Sequence, residues 1–204
     1  MDPSVDADVL AQARRLTAPE DDVLAAARAR AEQAGGGTPS PEVGSFLRWA
    51  AATVGARSVV EIGAAGGLTG LWLLQGMEDR GVLTSVEHDP HHHGLATTAY
   101  AEAGVTERVR SILGDPGTVL PRLSDDGYQL CLVQGRPADY PLYLEHALRL
   151  LAPGGLLVAR GVLASGASAA DALAAFTEEL ATDERLLTSV LPIDGGLAVA
   201  SLRA

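Results

Sequence analysis

Ser58-Val-Val-Glu-Ile-Gly-Ala-Ala-Gly-Gly-Leu-Thr-Gly-Leu-Trp-Leu-Leu74 reads as a short β-branched run that ends on an acid, turns on three glycines and enters an amphipathic helix carrying Leu71, Trp72 and Leu74. A strand delivered through a glycine turn into a helix N-terminus puts bare backbone N–H groups, and the positive end of a helix dipole, at the carboxyl edge of a sheet. That is a site for a nucleotide-like ligand. The glycines stand at positions 63, 66, 67 and 70, out of register with the G-x-G-x-x-G of dinucleotide sites. They fit E-x-G-x-x-x-G, with Glu61 two residues before Gly63 and Gly67 closing the turn.

Outward from this corner the pattern alternates strand and helix, which implies an α/β, Rossmann-like, doubly wound and mostly parallel sheet covered on both faces. The strands are expected at 58–62, 82–87, 108–113, 128–133 and 156–159, with helices at 68–79, 92–103, 118–123, 140–151 and 169–180 between and after them. The tail changes character: 187–193, the turn Asp194-Gly195-Gly196, then 197–202 read as two antiparallel strands. Before the corner, residues 1–18 show little periodicity and are expected as a loose or weakly helical arm. A helix over 19–34 stops at Gly35-Gly36-Gly37, and another opens with Ser40 as N-cap and Pro41 at its first position. Residues 1–37 thus form an N-terminal arm and helix, and 38–204 the main domain.

The 204 residues suit one sizeable core, 47% hydrophobic with only 4% aromatic. A net charge of −11 and a pI near 4.8 argue against nucleic acid, whose phosphates call for clustered positive charge. No apolar run reaches membrane-spanning length, and the acidic N-terminus lacks a signal-peptide pattern, so a cytoplasmic protein is expected. The single Cys131 sits in an apolar run and reads as a core residue. All 15 basic residues are arginine, which removes lysine as a base or Schiff-base former.

Two further acids complete a ligand constellation. Glu87 ends the second strand about twenty residues after the glycine turn, where doubly wound folds place an acid on ribose hydroxyls. Asp115 follows the third strand in Leu113-Gly114-Asp115-Pro116, and either meets the ligand or caps the next helix. Thr69 can bond a ligand carboxylate or cap its own helix, and His88, next to Glu87, stands where it can touch the same ligand. The histidines at 91–93 point in different directions on a helix start and read as a solvated turn.

Glu61-Ile-Gly63 followed by Gly67 resembles the S-adenosylmethionine (SAM) motif of class I methyltransferases, whose sheet ends in just such an antiparallel hairpin. Together with Ser40-Pro-Glu-Val-Gly-Ser-Phe-Leu47, Glu87-His-Asp-Pro90, Asp139-Tyr-Pro-Leu-Tyr143, Leu150-Leu-Ala-Pro-Gly-Gly155 and Leu191-Pro-Ile-Asp-Gly-Gly196, the chain resembles the bacterial O-methyltransferases related to catechol and caffeoyl-CoA O-methyltransferases. The resemblance implies SAM as methyl donor, S-adenosylhomocysteine (SAH) as product, a small-molecule acceptor and a homodimer. It implies that Glu61 faces the ligand's amino acid end, that Asp115 accepts the adenine amino group, and that Thr38 and Gly44 lie beside the pocket.

It also implies a divalent cation held by D-A-D-K-x-x-Y and D-N, and here the chain departs. The first stretch reads Gln134-Gly135-Arg136-Pro137-Ala138-Asp139-Tyr140, and the second pair is Arg160-Gly161. Glutamine and arginine do not build an oxygen-ligand site for Mg or Ca. Displacement at a sulfonium methyl depends mainly on holding the acceptor in line, so transfer survives this loss in principle. The expectation is a metal-independent enzyme in which Arg160 and Gln134 stand at the reacting end. Arg136, Tyr140 and Arg160 then meet a phenolic or acidic acceptor. Against it stand three other readings: Arg160 paired to a local carboxylate in a SAM- or SAH-binding dimer without catalysis, Tyr140 serving only the core, and a nicotinamide enzyme, which the glycine register disfavours.

Overall fold

The computed structural model describes residues 3–17, 19–35, 37–163 and 169–203. Three helices precede the sheet: α1 (Pro3–Leu16), α2 (Asp22–Gln33) and α3 (Pro41–Thr53). The arm expected to be loose or weakly helical is a helix; α1 rests on α3 and its Arg14 pairs with Glu42 at 2.9 Å. Asp21 caps α2 by accepting from Leu24 N, and Ser40 caps α3 by accepting from Val43 N.

The sheet strands are β1 (Ser58–Ile62), β2 (Val82–Glu87), β3 (Val109–Leu113), β4 (Tyr128–Val133), β5 (Leu151–Arg160), β6 (Leu186–Leu191) and β7 (Leu197–Leu202). They lie in the order β3-β2-β1-β4-β5-β7-β6, parallel except for β7, which runs antiparallel to both neighbours. Between them come α4 (Leu68–Gly76), α5 (Pro90–Glu102), the short α6 (Pro116–Val119), α7 (Tyr140–Leu150) and α8 (Ala170–Thr182). The strand order reverses between β1 and β4, and ligands of doubly wound sheets bind outside the carboxyl ends at that crossing point.

Side chains alternate across the sheet with period two. Val59, Leu130, Leu132 and Val158 face the core under α2–α5, whereas Val60, Ile62, Cys131, Val133 and Leu157 face the core under α7 and α8. Burial pushes the Cys131 thiol up to about 12, the behaviour of an inert core residue. Two further elements differ from the sequence reading. The helix after the glycine turn is not amphipathic, because Leu68 through Leu74 are all buried between the sheet and the N-terminal helices. Strand β5 begins at Leu151 rather than 156, and a register shift opposite Tyr128 and Leu130 accommodates Pro153-Gly154-Gly155 within it.

Candidate active site

The corner after β1 is built by backbone. Ala65, Gly66 and Gly67 adopt positive φ in succession, and Gly67, at φ 89°, opens α4 with no side-chain cap. Gly63 also has φ 89°, and a Cβ there would lie 2.9 Å from Gly135 N. The turn lines an open cleft of about 250 Å³ at the crossing point, shared with Gly37, Glu87, His88, His92, Gln134 and Arg136. Glu87 is fixed there by Ala64 N and Asp89 N, both donating at 2.9 Å, and His88 Nδ1 lies 3.1 Å away.

Glu61 does not reach this cleft. It is 0% exposed, and both of its oxygens are occupied from inside. The Thr69 hydroxyl and Gln134 Nε2 (3.2 Å) donate to Oε1; Ser85 (2.7 Å) and Tyr100 (3.3 Å) donate to Oε2. Burial raises the carboxyl to about 7 despite these donors, and the nearby Glu87 charge adds to the rise. Thr69 accordingly neither caps α4 nor meets the cleft: its hydroxyl is spent on Glu61 and accepts from Gln134 Nε2 at 2.6 Å.

Gln134 joins this buried set to the other half of the site. Its Nε2 lies 2.7 Å from Gly63 O, and its Oε1 accepts from Arg160 Nη1 at 2.8 Å. Arg160 is 11% exposed; Nη1 also reaches Gly37 O at 3.4 Å, and Nη2 lies 3.8 Å from Asp194. Its Nε is buried without a partner among the described residues. Tyr140 donates to the Arg160 carbonyl at 2.6 Å but is itself buried against Tyr143 and Phe176, so it serves the core and the β5 end rather than a cleft wall. Burial pushes its hydroxyl well above the usual tyrosine range. Arg160 stands opposite the Gln134 amide where metal-dependent relatives are expected to hold a cation between carboxylates. A neutral oxygen already engaged by a guanidinium does not fit a divalent ion.

The remaining predicted residues fall around the rim. Asp115 is half exposed, leaves α6 without a side-chain cap, and meets Arg136 Nη2 at 3.3 Å; Arg136 Nε also pairs with Asp139 at 2.7 Å. Thr38 lines a second cleft of about 390 Å³ with Arg14, Arg28 and Asp194. Gly44 lines neither cleft; it packs against Trp72, whose Nε1 would sit 2.3 Å from an added Cβ. The segment between α2 and α3 is held by Arg28 Nη1 donating to Pro39 O (2.7 Å) and Ser40 N donating to Asp194 Oδ2 (2.6 Å). Sequence reasoning missed Asp194, Ser85, Tyr100 and His92. Only Ser85 had a local signal, two residues before Glu87 on the same strand face.

The fold and this crossing-point cleft are those of a class I methyltransferase. The O-methyltransferase family model matches residues 15–203. A Mycolicibacterium vanbaalenii protein named "Putative O-methyltransferase" is 42% identical over 191 residues, covering 89% of this chain and 84% of that one. Cofactor-bound Rv0187 from MTB superposes with TM-score 0.85 at 27% identity, covering 98% of this chain and 97% of that one. The Bacillus cereus O-methyltransferase in complex with SAH superposes with TM-score 0.83 at 23% identity, covering 91% and 92%. The chain belongs to the SAM-dependent O-methyltransferase family.

Proposed function

We propose that the chain transfers the SAM methyl group to a hydroxyl of a small phenolic or acidic acceptor without a divalent metal. The observation that carries this reading is the Arg160–Gln134 contact of 2.8 Å, which puts a fixed positive charge at the positions that correspond to the metal ligands. Gly63, Glu87, His88 and Gln134 are the cleft residues assigned to the cofactor, with Gly67 shaping the turn and Thr38 and Asp115 closing the rim. Glu61 and Thr69 act from behind, holding Gln134 and the Gly63 carbonyl in place. Bound there, SAM supplies an activated methyl on a sulfonium.

The chain's own groups orient the acceptor: Arg160 is the charged donor, Arg136 stands at the rim, and Tyr140 fixes the Arg160 backbone. We assign the working form to a cytoplasmic homodimer, from the acidic composition and the family resemblance. Radiolabelled methyl transfer over a panel of phenols and hydroxy acids tests the proposal. Turnover unchanged by EDTA and by added Mg²⁺ is expected; turnover abolished by EDTA and restored by Mg²⁺ contradicts it. Tight SAH binding with no transfer to any acceptor favours the non-catalytic alternative, for which the mutual ties among Arg160, Gln134 and Gly37 speak.

A further inference from the structure

Resting on that methyl-transfer reading, we propose that the acceptor is an organic anion whose oxygen is already ionised near neutral pH, docked on Arg160, and that no residue of the protein acts as its base. Such acceptors are carboxylic acids, acidic phenols and enolised dicarbonyls. Bases and cations around Arg160 differ sharply in their availability.

The carboxylates come first. Glu61 is closed off behind Gln134 with four internal donors. Asp194 accepts from Ser40 N at 2.6 Å and faces Arg160 with the same oxygen. Glu20 is held by Arg28 at 2.6 Å, Glu32 lies 3.7 Å from the same guanidinium, and Glu42 is held by Arg14. Asp115 and Asp139 are both tied to Arg136. Glu61 is committed to side-chain hydroxyls and an amide, and every other one of these acids to a cation or a backbone N–H. The histidines of the cleft, His88 and His92, follow β2, and Arg160 ends β5, three strands along the sheet, a strand separation of roughly 14 Å at ~4.8 Å per strand. The chain has no lysine, and residues 164–168 after β5 read Ala-Ser-Gly-Ala-Ser, with no side chain that serves as a base near neutrality.

The cations show the opposite imbalance. Arg14, Arg28 and Arg136 border the clefts and each meets a carboxylate within 3.0 Å, whereas the nearest carboxylate to Arg160 among the described residues stands at 3.8 Å. Arg160 is the most enclosed of the four, and its Nε has no partner among the described residues. A guanidinium in that state has only the Asp194 oxygen at 3.8 Å, shared with Ser40 N, and a carboxylate or phenolate supplies a closer anion by charge-assisted bonds. It lies between the two clefts, behind Gly37 and Asp194, so a docking acceptor takes over the 3.4 Å contact with Gly37 O.

Ionisation before docking also closes the chemistry. The acceptor oxygen forms the O–CH₃ bond with its own electron pair, the C–S pair returns to sulfur, and no proton is left to place. An ordinary phenol, titrating near 10 as tyrosine does, is ionised only to about one part in a thousand at pH 7 and would be a poor acceptor.

The test uses the SAH-loaded protein and binding as its readout. Benzoate is compared with benzamide, and 4-nitrophenol at pH 8.5 with 4-nitroanisole, by calorimetry. Each anion is expected to bind at least tenfold more tightly than its neutral counterpart. Arg160→Gln should erase that preference while SAH affinity stays within about threefold of wild type. Among acceptors that turn over, the rising limb of the pH–rate profile should move with each acceptor's own pKa. Equal binding of anion and neutral partner by the wild type overturns the proposal whether or not the variant folds. So does a preference that survives Arg160→Gln, or a limb fixed at one pH for all acceptors, which would report a base on the protein. Failure to bind SAH at all would instead overturn the methyl-transfer reading underneath.

Discussion

The two halves of the cleft are built by different means. On the β1–β2 side the turn is set by backbone, a run of positive-φ residues and the N–H groups that pin Glu87, with His88 and His92 beside it. On the β4–β5 side the cleft rests on side chains, Gln134 in the wall and Arg160 behind it, joined to each other and to residues far away in sequence. A backbone-built half tolerates almost no added atoms but is indifferent to most neighbouring changes. A side-chain half is easily rewritten.

That contrast is broken most severely at Gly63. Gly63→Val forces a β-branched residue into φ 89° against Gly135 N. SAH affinity should fall at least ~100-fold and stability by about 3 kcal/mol, read by calorimetry and urea unfolding. The opposite half responds differently. Arg160→Ala should lower methyl transfer to an anionic acceptor on the order of 100-fold while SAH affinity changes less than about threefold. An equal loss of SAH binding would show that the halves are not separable.

Glu61 sharpens the comparison through pH. Its carboxyl sits near 4.5 in the unfolded chain and is raised to about 7 in the fold, so between those values the fold binds the extra proton. Its contribution to stability is complete below pH 4.5 and is lost as pH rises through 7, on the order of 3 kcal/mol at most. Glu61→Gln, neutral at every pH, should flatten that component of a stability profile measured from pH 4.5 to 8; an unchanged profile would mean the carboxyl titrates normally. The smallest effect belongs to Asp194→Asn, which keeps an oxygen for Ser40 N but loses the charge facing Arg160. About 1 kcal/mol of destabilisation is expected by thermal unfolding, with cofactor binding intact.

Legibility in the sequence follows the same division. The glycine corner, the Ser40 cap and the closing hairpin all carry local signals, because each depends on the φ preferences or side-chain reach of adjacent residues. The α1 helix carries none: it folds against α3, and its Arg14 finds Glu42 28 residues on. The break expected at Pro153-Gly154-Gly155 is absorbed by a register shift whose other half lies on β4. The Arg160–Gly37 contact spans 123 positions, and Asp194 in a hairpin turn looks like any turn aspartate. The closed environment of Glu61 was equally hidden, since the motif locates the acid on its strand but not Tyr100 from α5 or Gln134 from β4 above it.

Titration of the SAH-loaded protein with Mn²⁺, followed by electron paramagnetic resonance, tests directly the proposal that a guanidinium occupies the place of a divalent cation. The free-ion signal should rise in proportion to added metal, with no saturable site tighter than about millimolar. One Mn²⁺ taken up per chain at micromolar concentration, and released in Gln134→Ala, would contradict it.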